Sequence, residues 1–298
     1  MSVISIKNLI VIKFEGKIIN NKEANTIIMP YVELDKGYKI FYLEKGKGKN
    51  IVFIHGFLGS SWLFQAQIEH FSSNHRAIAI DHLGHGKSDK PESESYELDE
   101  LAQFLDETLS KIIGDEKFTL VGHSMGGMIS LIYATNPKMA KRLEGLILMA
   151  TAPKLNNPGL IQYVEDLKSG EMSLKDRETI ETIFVGLCFQ RKARKEQTEL
   201  IKEFVNLTLQ NEEYVGLRTM ESIVNNFNVE DKLKSISVPT LILTGDKDTF
   251  ILPTESESMN NLIPNSTLSV LTPKIGHMIQ YEATNDYNNA LKTFLEEI

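Results

Sequence analysis

The sequence predicts an α/β fold with a mostly parallel central sheet that helices cover on both faces. In residues 29–150, short apolar runs alternate with helix-length amphipathic patterns, and the same alternation resumes over residues 238–298. Because parallel strands need long crossover connections, usually helices, this alternation indicates a parallel sheet. Residues 151–237 interrupt it with helical, charge-rich patterns. So long a stretch between strands indicates an inserted helical unit.

Each element is predicted from its local pattern of apolar residues. A turn at Gly37 joins two strand patterns within Val32–Tyr42. Short, continuous apolar runs indicate buried strands, whereas apolar residues at spacings of three and four indicate helices. The predicted strands that follow are Asn50–Ile54, Ala77–Ile80, Phe118–Val121, Leu143–Met149, Thr240–Thr244 and Ser266–Leu271. The predicted helices outside the insertion are Ser61–Phe71, Leu98–Ile113, Met125–Thr135, Thr254–Asn261 and Tyr281–Glu297.

The first 28 residues differ from the rest and are interpreted as an N-terminal extension. They are rich in Ile, Asn and Lys with little periodicity, and a strand–turn pattern begins only after Met29. An extra edge strand at Leu9–Phe14 is the alternative interpretation. We therefore expect an extension (1–28), a core made of 29–150 and 238–298, and an insertion (151–237).

Composition excludes several classes of protein. With 42% hydrophobic and 24% charged residues, the 298-residue chain is typical of a soluble globular protein. A net charge of −8 argues against a nucleic-acid partner. The single cysteine, Cys188, excludes an internal disulfide and a multi-cysteine metal site. No apolar run approaches the ~20 residues that span a bilayer, so we expect a cytoplasmic protein without a membrane partner.

A candidate nucleophile lies in the motif Gly122-His123-Ser124-Met125-Gly126. The motif follows a predicted strand and precedes a predicted helix, which is the context of a nucleophile elbow. In such a sharp turn the serine adopts a strained backbone conformation, and the two glycines keep side chains out where strand and helix nearly touch. We expect Ser124 to be exposed at the carboxyl edge of the sheet, where open α/β sheets bind ligands.

A serine nucleophile needs a base, and the base needs an orienting acid. His277 is the best candidate base, because it lies in the loop between the last strand and the last helix. Two aspartates, Asp246 and Asp248, follow the strand Thr240–Thr244. We prefer Asp248 as the acid, since Asp246 is the more plausible turn residue.

These segments resemble the α/β-hydrolase family, in particular its lid-bearing esterase, lactonase and C–C hydrolase branch. The resemblance runs from about Met29 to the C-terminus. The motifs that carry it are His55-Gly56-Phe57, Asp81-His82-Leu83-Gly84-His85-Gly86-Lys87-Ser88, Gly122-His123-Ser124-Met125-Gly126-Gly127, Gly245-Asp246-Lys247-Asp248 and Gly276-His277.

The resemblance implies a catalytic triad of Ser124, Asp248 and His277, in the family's chain order. It also implies an oxyanion hole made of the backbone N–H groups of Phe57 and Met125, and a helical lid at 151–237. The implied substrate is a small-molecule ester or lactone, cleaved without metal or organic cofactor by a monomer or homodimer.

Two alternatives stay open at this stage: a lyase or C–C bond hydrolase with the same triad, and a ligand-sensing receptor with slow turnover. The segment His55–Ser60 resembles the loop of menaquinone-pathway lyases, which use the same triad, but Met128 stands where those enzymes usually carry Arg. C–C bond hydrolases are a similar option, although their glycine- and proline-rich oxyanion loop is absent. A ligand-sensing receptor with slow turnover would keep the same catalytic residues. Serine at the elbow argues against the epoxide hydrolase and haloalkane dehalogenase branches, which use Asp there.

Overall fold

An eight-stranded sheet forms the centre of the protein in a computed structural model, which describes residues 3–6, 9–12, 27–155, 158–169 and 177–298. Its strands are β3 (Tyr31–Glu33), β4 (Lys39–Lys45), β5 (Lys49–Ile54), β6 (His75–Ile80), β7 (Phe118–His123), β8 (Leu143–Met149), β9 (Thr240–Gly245) and β10 (Ser266–Leu271). Their spatial order is β10-β9-β8-β7-β5-β6-β4-β3. Two further strands, β1 (Val3–Ile6) and β2 (Leu9–Ile12), pair antiparallel in a sheet of their own.

The sheet is mostly parallel, as predicted. From β10 to β6 all neighbours run parallel, and β4 near one edge runs antiparallel to both of its neighbours, β6 and β3. The carboxyl ends of β5, β7, β8 and β9 therefore meet at one edge, where the loops beginning at His55, Ser124, Ala150 and Asp246 emerge. Ligands of open α/β sheets bind at such an edge.

Helices cover both faces of the sheet. They are α1 (Gln65–Phe71), α2 (Leu98–Ile113), α3 (Met125–Thr135), α9 (Pro253–Leu262), α10 (Ile279–Glu282) and α11 (Thr284–Glu297). Alternate residues of β5 point to opposite faces. Val52 and Ile54 pack in the apolar core with α2 and α3, whereas Ile51 and Phe53 pack in the core with α1 and α11. The two-sided covering inferred from the strand–helix alternation is confirmed.

The C-terminal helix differs from its prediction. A single helix was expected at Tyr281–Glu297, but Ala283 (φ −135°, ψ 44°) separates α10 from α11. The Tyr281 hydroxyl donates to the Leu63 carbonyl at 3.0 Å, and the Glu282 carboxylate accepts from Gly276 at 3.2 Å. These tertiary contacts orient α10 separately, and no local pattern could predict them.

Between β8 and β9 the described residues form a helical segment. Its helices are α4 (Pro158–Ser169), α5 (Arg177–Cys188), α6 (Arg191–Glu196), α7 (Thr198–Thr208) and α8 (Glu213–Glu221), followed by a π turn at Ser222–Asn226 and a 3₁₀ turn at Glu230–Ser235. Near its two ends, the Val229 N–H donates to the Pro153 carbonyl at 2.9 Å. Cys188 is buried, and burial raises the pKa of its thiol, so the thiol stays protonated. No helix among the described residues is long and apolar enough to cross a membrane.

At the N-terminus, Ile28 exchanges two backbone hydrogen bonds with Glu44 of β4, at 2.8 and 3.0 Å. The core sheet therefore engages the chain from about this residue onward. Of the expected extension, residues 1–2, 7–8 and 13–26 lie outside the described residues. The alternative edge strand at Leu9–Phe14 is represented by β2, which pairs with β1 rather than with the eight-stranded sheet; its last two residues, 13 and 14, lie outside the described residues.

Candidate active site

Ser124 occupies a sharp turn between β7 and α3. Its backbone lies at φ 54° and ψ −119°, a positive-φ region that residues other than glycine rarely adopt. A Cβ at Gly122 would collide with the Gly126 carbonyl, and a Cβ at Gly126 would collide with the carbonyls of Ile54 and His55. Only glycine fits at these two positions, so the spacing of the motif follows from the contact between α3 and the neighbouring strand.

Hydrogen bonds on both sides hold the strained backbone of Ser124. Its N–H donates to the Met149 carbonyl at 2.9 Å. Its carbonyl accepts from the Met128 N–H at 3.1 Å and from the Thr151 hydroxyl at 2.8 Å. Strain at one residue persists only when its surroundings over-determine the conformation, and these contacts meet that condition.

Asp248 and His277 form a buried pair at the same edge of the sheet. His277 Nδ1 lies 2.7 Å from Asp248 Oδ2, and the two side chains are 6% and 0% exposed. Oδ1 of Asp248 accepts from the N–H groups of Phe250 and Ile251 at 2.9 and 3.0 Å. A carboxylate only accepts hydrogen bonds, so the proton of the neutral imidazole is on Nδ1. Nε2 is then the basic nitrogen.

Of the two aspartates considered from sequence, only Asp248 contacts the imidazole. Asp246 Oδ1 instead accepts from the Ile275 N–H at 2.8 Å, across the turn between the two loops. Asp246 thus shapes the loop that carries His277, and Asp248 orients the ring itself.

His123 connects the turn at Ser124 to the loop that carries His277. Its Nε2 lies 3.0 Å from the His277 carbonyl oxygen, and the two rings are 4.9 Å apart. Burial lowers the pKa of His123 to about 3, so the ring is neutral and Nε2 carries the donating proton. Because His123 directly precedes Ser124, this hydrogen bond fixes the loop of His277 beside the serine.

Hydrogen bonds also connect the loop that carries His277 to the helical segment. The N–H of His277 donates to the Cys188 carbonyl at 3.1 Å. The Glu282 carboxylate accepts from the Gly276 N–H at 3.2 Å and from the Gln190 N–H at 3.0 Å, and burial raises its pKa. Sequence analysis missed Glu282, and no local signal could have found it, because its partner Gln190 lies 92 residues away.

The loop after β5 lies against the serine. A Cβ at Gly56 would be 3.1 Å from the Ser124 Cβ, so the loop approaches as closely as a glycine permits. The next residue, Phe57, and the first helical residue, Met125, each have a backbone N–H near this contact. Among the described residues, neither N–H donates to a protein acceptor. Two unpaired donors beside a serine are suited to hold a developing oxyanion.

Three further histidines form a buried cluster: His55 at the start of this loop, and His82 and His85 in the loop after β6. The ring centroids are 4.7 to 6.1 Å apart. Burial lowers the pKa of His55 to about 4 and that of His85 to about 3, and it also lowers the pKa of His82, so all three are neutral. His55 Nε2 accepts from the His82 N–H at 3.1 Å, which ties the two loops together.

Asp81 lies at the start of the His82–His85 turn. Its Oδ1 accepts from the Ser61 N–H at 2.6 Å, and its Oδ2 accepts from the Lys87 N–H at 2.7 Å. This carboxylate therefore organises backbone, and the segment Asp81–Ser88 supports the loop after β5.

Comparison with known proteins extends over most of the chain. Residues 49–284 match a family model described as the alpha/beta hydrolase fold. The chain is 27% identical to Lipase 3 of Moraxella sp. (strain TA144) over 96% of this chain and 91% of that protein. It is 25% identical to a proline iminopeptidase of Saccharolobus solfataricus over 90% of this chain and 94% of that protein.

A solved structure shares the fold. An esterase from Exiguobacterium antarcticum superposes with a TM-score of 0.80 at 24% identity, covering 90% of this chain and all of that one. Relatives named for different activities match at similar identity, so the likeness shows the family and the fold but not the substrate.

Proposed function

The chain belongs to the alpha/beta hydrolase family, and on that premise we propose that it is a serine hydrolase that cleaves a carboxylic ester or lactone. The nucleophile is Ser124, the base is His277 and the orienting acid is Asp248. The observation that carries the proposal is the buried 2.7 Å contact of His277 Nδ1 with Asp248, on a loop that His123 holds beside Ser124.

The proposed reaction begins with proton transfer. Nε2 of His277 takes the proton of the Ser124 hydroxyl as Oγ bonds to the carbonyl carbon of the substrate. The carbonyl π electrons move to oxygen, and the N–H groups of Phe57 and Met125 donate to this oxyanion. Each such donor contributes roughly 3–4 kcal/mol to lowering the barrier.

Collapse of the tetrahedral intermediate breaks the bond to the leaving alkoxide, which takes the proton from His277. The acyl group stays on Ser124. Water then attacks the acyl-enzyme, with His277 again as base, and the carboxylic acid leaves as Oγ regains its proton. Asp248 remains ionised throughout and stabilises the imidazolium that forms in each half-reaction.

We assign the helical segment at 151–237 as a lid over this site. Its support is the contact of Phe184 in α5 with Phe57 of the loop after β5, where the ring centroids are 5.9 Å apart. A lid of this kind excludes water and presents apolar surface to a small-molecule substrate.

The test is hydrolysis of p-nitrophenyl esters from acetate to dodecanoate by the wild type and by Ser124→Ala. Loss of one triad member is expected to lower kcat by about 10⁴- to 10⁶-fold. The matched control is Ser130→Ala, because Ser130 is a buried serine of α3, the helix that follows Ser124, and its hydroxyl donates to the Gly126 carbonyl at 2.7 Å. It should keep most of the activity.

A second readout does not depend on the choice of ester. A fluorophosphonate should label the wild type at Ser124 with one equivalent, seen by intact mass, and should leave Ser124→Ala unlabelled. Turnover that survives in Ser124→Ala would overturn the proposal. Labelling without ester turnover would instead indicate a lyase or C–C hydrolase with the same triad, or a ligand-sensing receptor with slow turnover.

A further inference from the structure

Three phenyl rings from distant parts of the chain meet beside the candidate site. Phe57 follows β5, Phe184 lies in α5, and Phe250 follows β9. The centroids of Phe57 and Phe184 are 5.9 Å apart with planes at 84°, and those of Phe184 and Phe250 are 5.4 Å apart with planes at 72°. Both are favourable edge-to-face contacts. We refer to these three residues as the aromatic wall.

The aromatic wall runs from the candidate oxyanion donor to the candidate base. At one end, Phe57 carries one of the two unpaired N–H groups. At the other end, the Phe250 ring lies 5.5 Å from the His277 ring. The backbone N–H of Phe250 donates to Asp248 Oδ1. All three phenyl groups are only partly buried, so each keeps accessible surface. Apolar surface that borders a catalytic centre is suited to an uncharged hydrocarbon group of the substrate.

The chemistry of the reaction indicates which group of the substrate faces the aromatic wall. The carbonyl oxygen must lie at the Phe57 N–H, and the leaving oxygen must lie at His277, which protonates it. The aromatic wall spans these two positions. The Phe250 ring of the wall lies 5.5 Å from the His277 ring, so the alcohol attached to the leaving oxygen begins next to the wall.

We propose that Phe184 determines specificity for the alcohol part of the substrate and restricts it to small, uncharged alcohols. Phe184 is the member of the aromatic wall that the helical segment supplies, and its ring closes the gap between Phe57 and Phe250. An alcohol that extends beyond this gap collides with Phe184. The inference rests on the proposed serine hydrolase function and adds the substrate class to it.

The experiment uses two crossed series of esters. One series varies the alcohol of an acetate ester from methyl and ethyl to hexyl and cyclohexyl. The other varies the acyl chain of p-nitrophenyl esters at constant alcohol. In Phe184→Ala, the ratio of kcat/KM for cyclohexyl over ethyl acetate should rise at least 10-fold, since a methylene in an apolar pocket changes selectivity by about 10- to 200-fold. The acyl-length profile should keep its optimum.

Two variants control for indirect effects. Phe184→Leu keeps apolar bulk and should give an intermediate shift. Ile183→Ala removes the neighbouring side chain of α5, which is 58% exposed, and should leave both profiles unchanged. Thermal unfolding of each variant reports whether the lid and core stay folded.

The outcomes separate the two proposals. Ser124-dependent turnover with an unchanged alcohol profile in Phe184→Ala would overturn the role of Phe184 alone. A shift of the acyl optimum instead would also overturn it. A folded wild type that hydrolyses no ester and resists fluorophosphonate would overturn the serine hydrolase function, and the role of Phe184 with it.

Discussion

His277 and His55 are both buried imidazoles within the same protein, but their surroundings differ in one respect. His277 lies 2.7 Å from the carboxylate of Asp248. His55 packs against His82 and His85, and its two ring nitrogens contact backbone groups, the Gly56 carbonyl and the His82 N–H. Only the first ring has a partner that stabilises a positive charge.

This difference separates a base from a structural histidine. General base catalysis requires the ring to become imidazolium in the transition state, and a carboxylate at Nδ1 stabilises that ion. In the cluster, burial disfavours the charged form and lowers the pKa of each ring, so those rings serve as neutral hydrogen-bonding groups. Burial of a histidine near the site is therefore insufficient to identify the base.

Asp248 and Asp81, two buried aspartates, differ in the same way. Asp248 divides its carboxylate between the imidazole and two backbone N–H groups. Asp81, beside the histidine cluster, accepts instead from the backbone N–H groups of Ser61 and Lys87. The Asp248 carboxylate orients the His277 ring, and the Asp81 carboxylate orients the turn at His82–His85.

Among the variants that test this comparison, Asp248→Asn has the largest expected effect. The amide keeps the shape but removes the charge that stabilises imidazolium, so kcat should fall by about 10⁴-fold. Steady-state hydrolysis of the best p-nitrophenyl ester measures this loss.

Asp81→Asn is the matched control and should lose stability instead. Its amide would direct an NH₂ group at a backbone donor, and loss of a hydrogen bond to a charged group costs about 1.5–3 kcal/mol of the free energy of unfolding. Urea unfolding measures this cost. A fall of kcat in folded Asp81→Asn as large as that in Asp248→Asn would contradict the distinction between the two carboxylates.

An intermediate effect is expected for Glu282→Gln. Both carboxylate oxygens of Glu282 accept backbone N–H groups, so the amide loses one of these bonds and releases the loop of His277 from the helical segment. A small displacement of a catalytic group costs up to about 10²-fold. We expect kcat to fall about 10- to 100-fold while KM changes little.

The control for this variant is Glu296→Gln in α11, where the glutamate is exposed beside Lys292. It should keep the wild-type kcat. An unchanged kcat in Glu282→Gln, or a rise in KM alone, would show that the loop of His277 does not depend on Glu282.

The smallest effect concerns the pH dependence of stability. The pKa of His55 is about 4 and that of His85 about 3 in the folded protein, against an ordinary value of 6.5. The unfolded chain therefore binds more protons below pH 6.5, and stability falls as the pH falls towards these folded values. The slope is at most about 1.4 kcal/mol per pH unit for each histidine.

Urea unfolding between pH 7 and 5 measures this slope. His85→Gln removes one titrating histidine and should reduce the slope by up to about 1.4 kcal/mol per pH unit. Replacement of the exposed His70 by Gln is the control. A wild-type stability that does not fall between pH 7 and 5 would contradict neutral buried rings in the cluster.

The sequence by itself determined the features that depend on near neighbours in the chain. The bounds of α2, α3, β8 and β10 agree with their predictions because each follows from a local apolar pattern. The turn at Ser124 could also be predicted from the sequence, since its two glycines and the flanking strand and helix lie within a few residues.

Tertiary structure decided what depends on distant partners. The sequence favours Asp248 over Asp246, but the 2.7 Å contact of Asp248 with His277 depends on how two loops 29 residues apart align. The role of Glu282 depends on a partner 92 residues away, and the aromatic wall depends on three segments that meet only when the helical segment packs on the core. A local apolar pattern indicates which face of a strand or helix is buried, whereas contacts across the sheet edge depend on the packing of the whole chain.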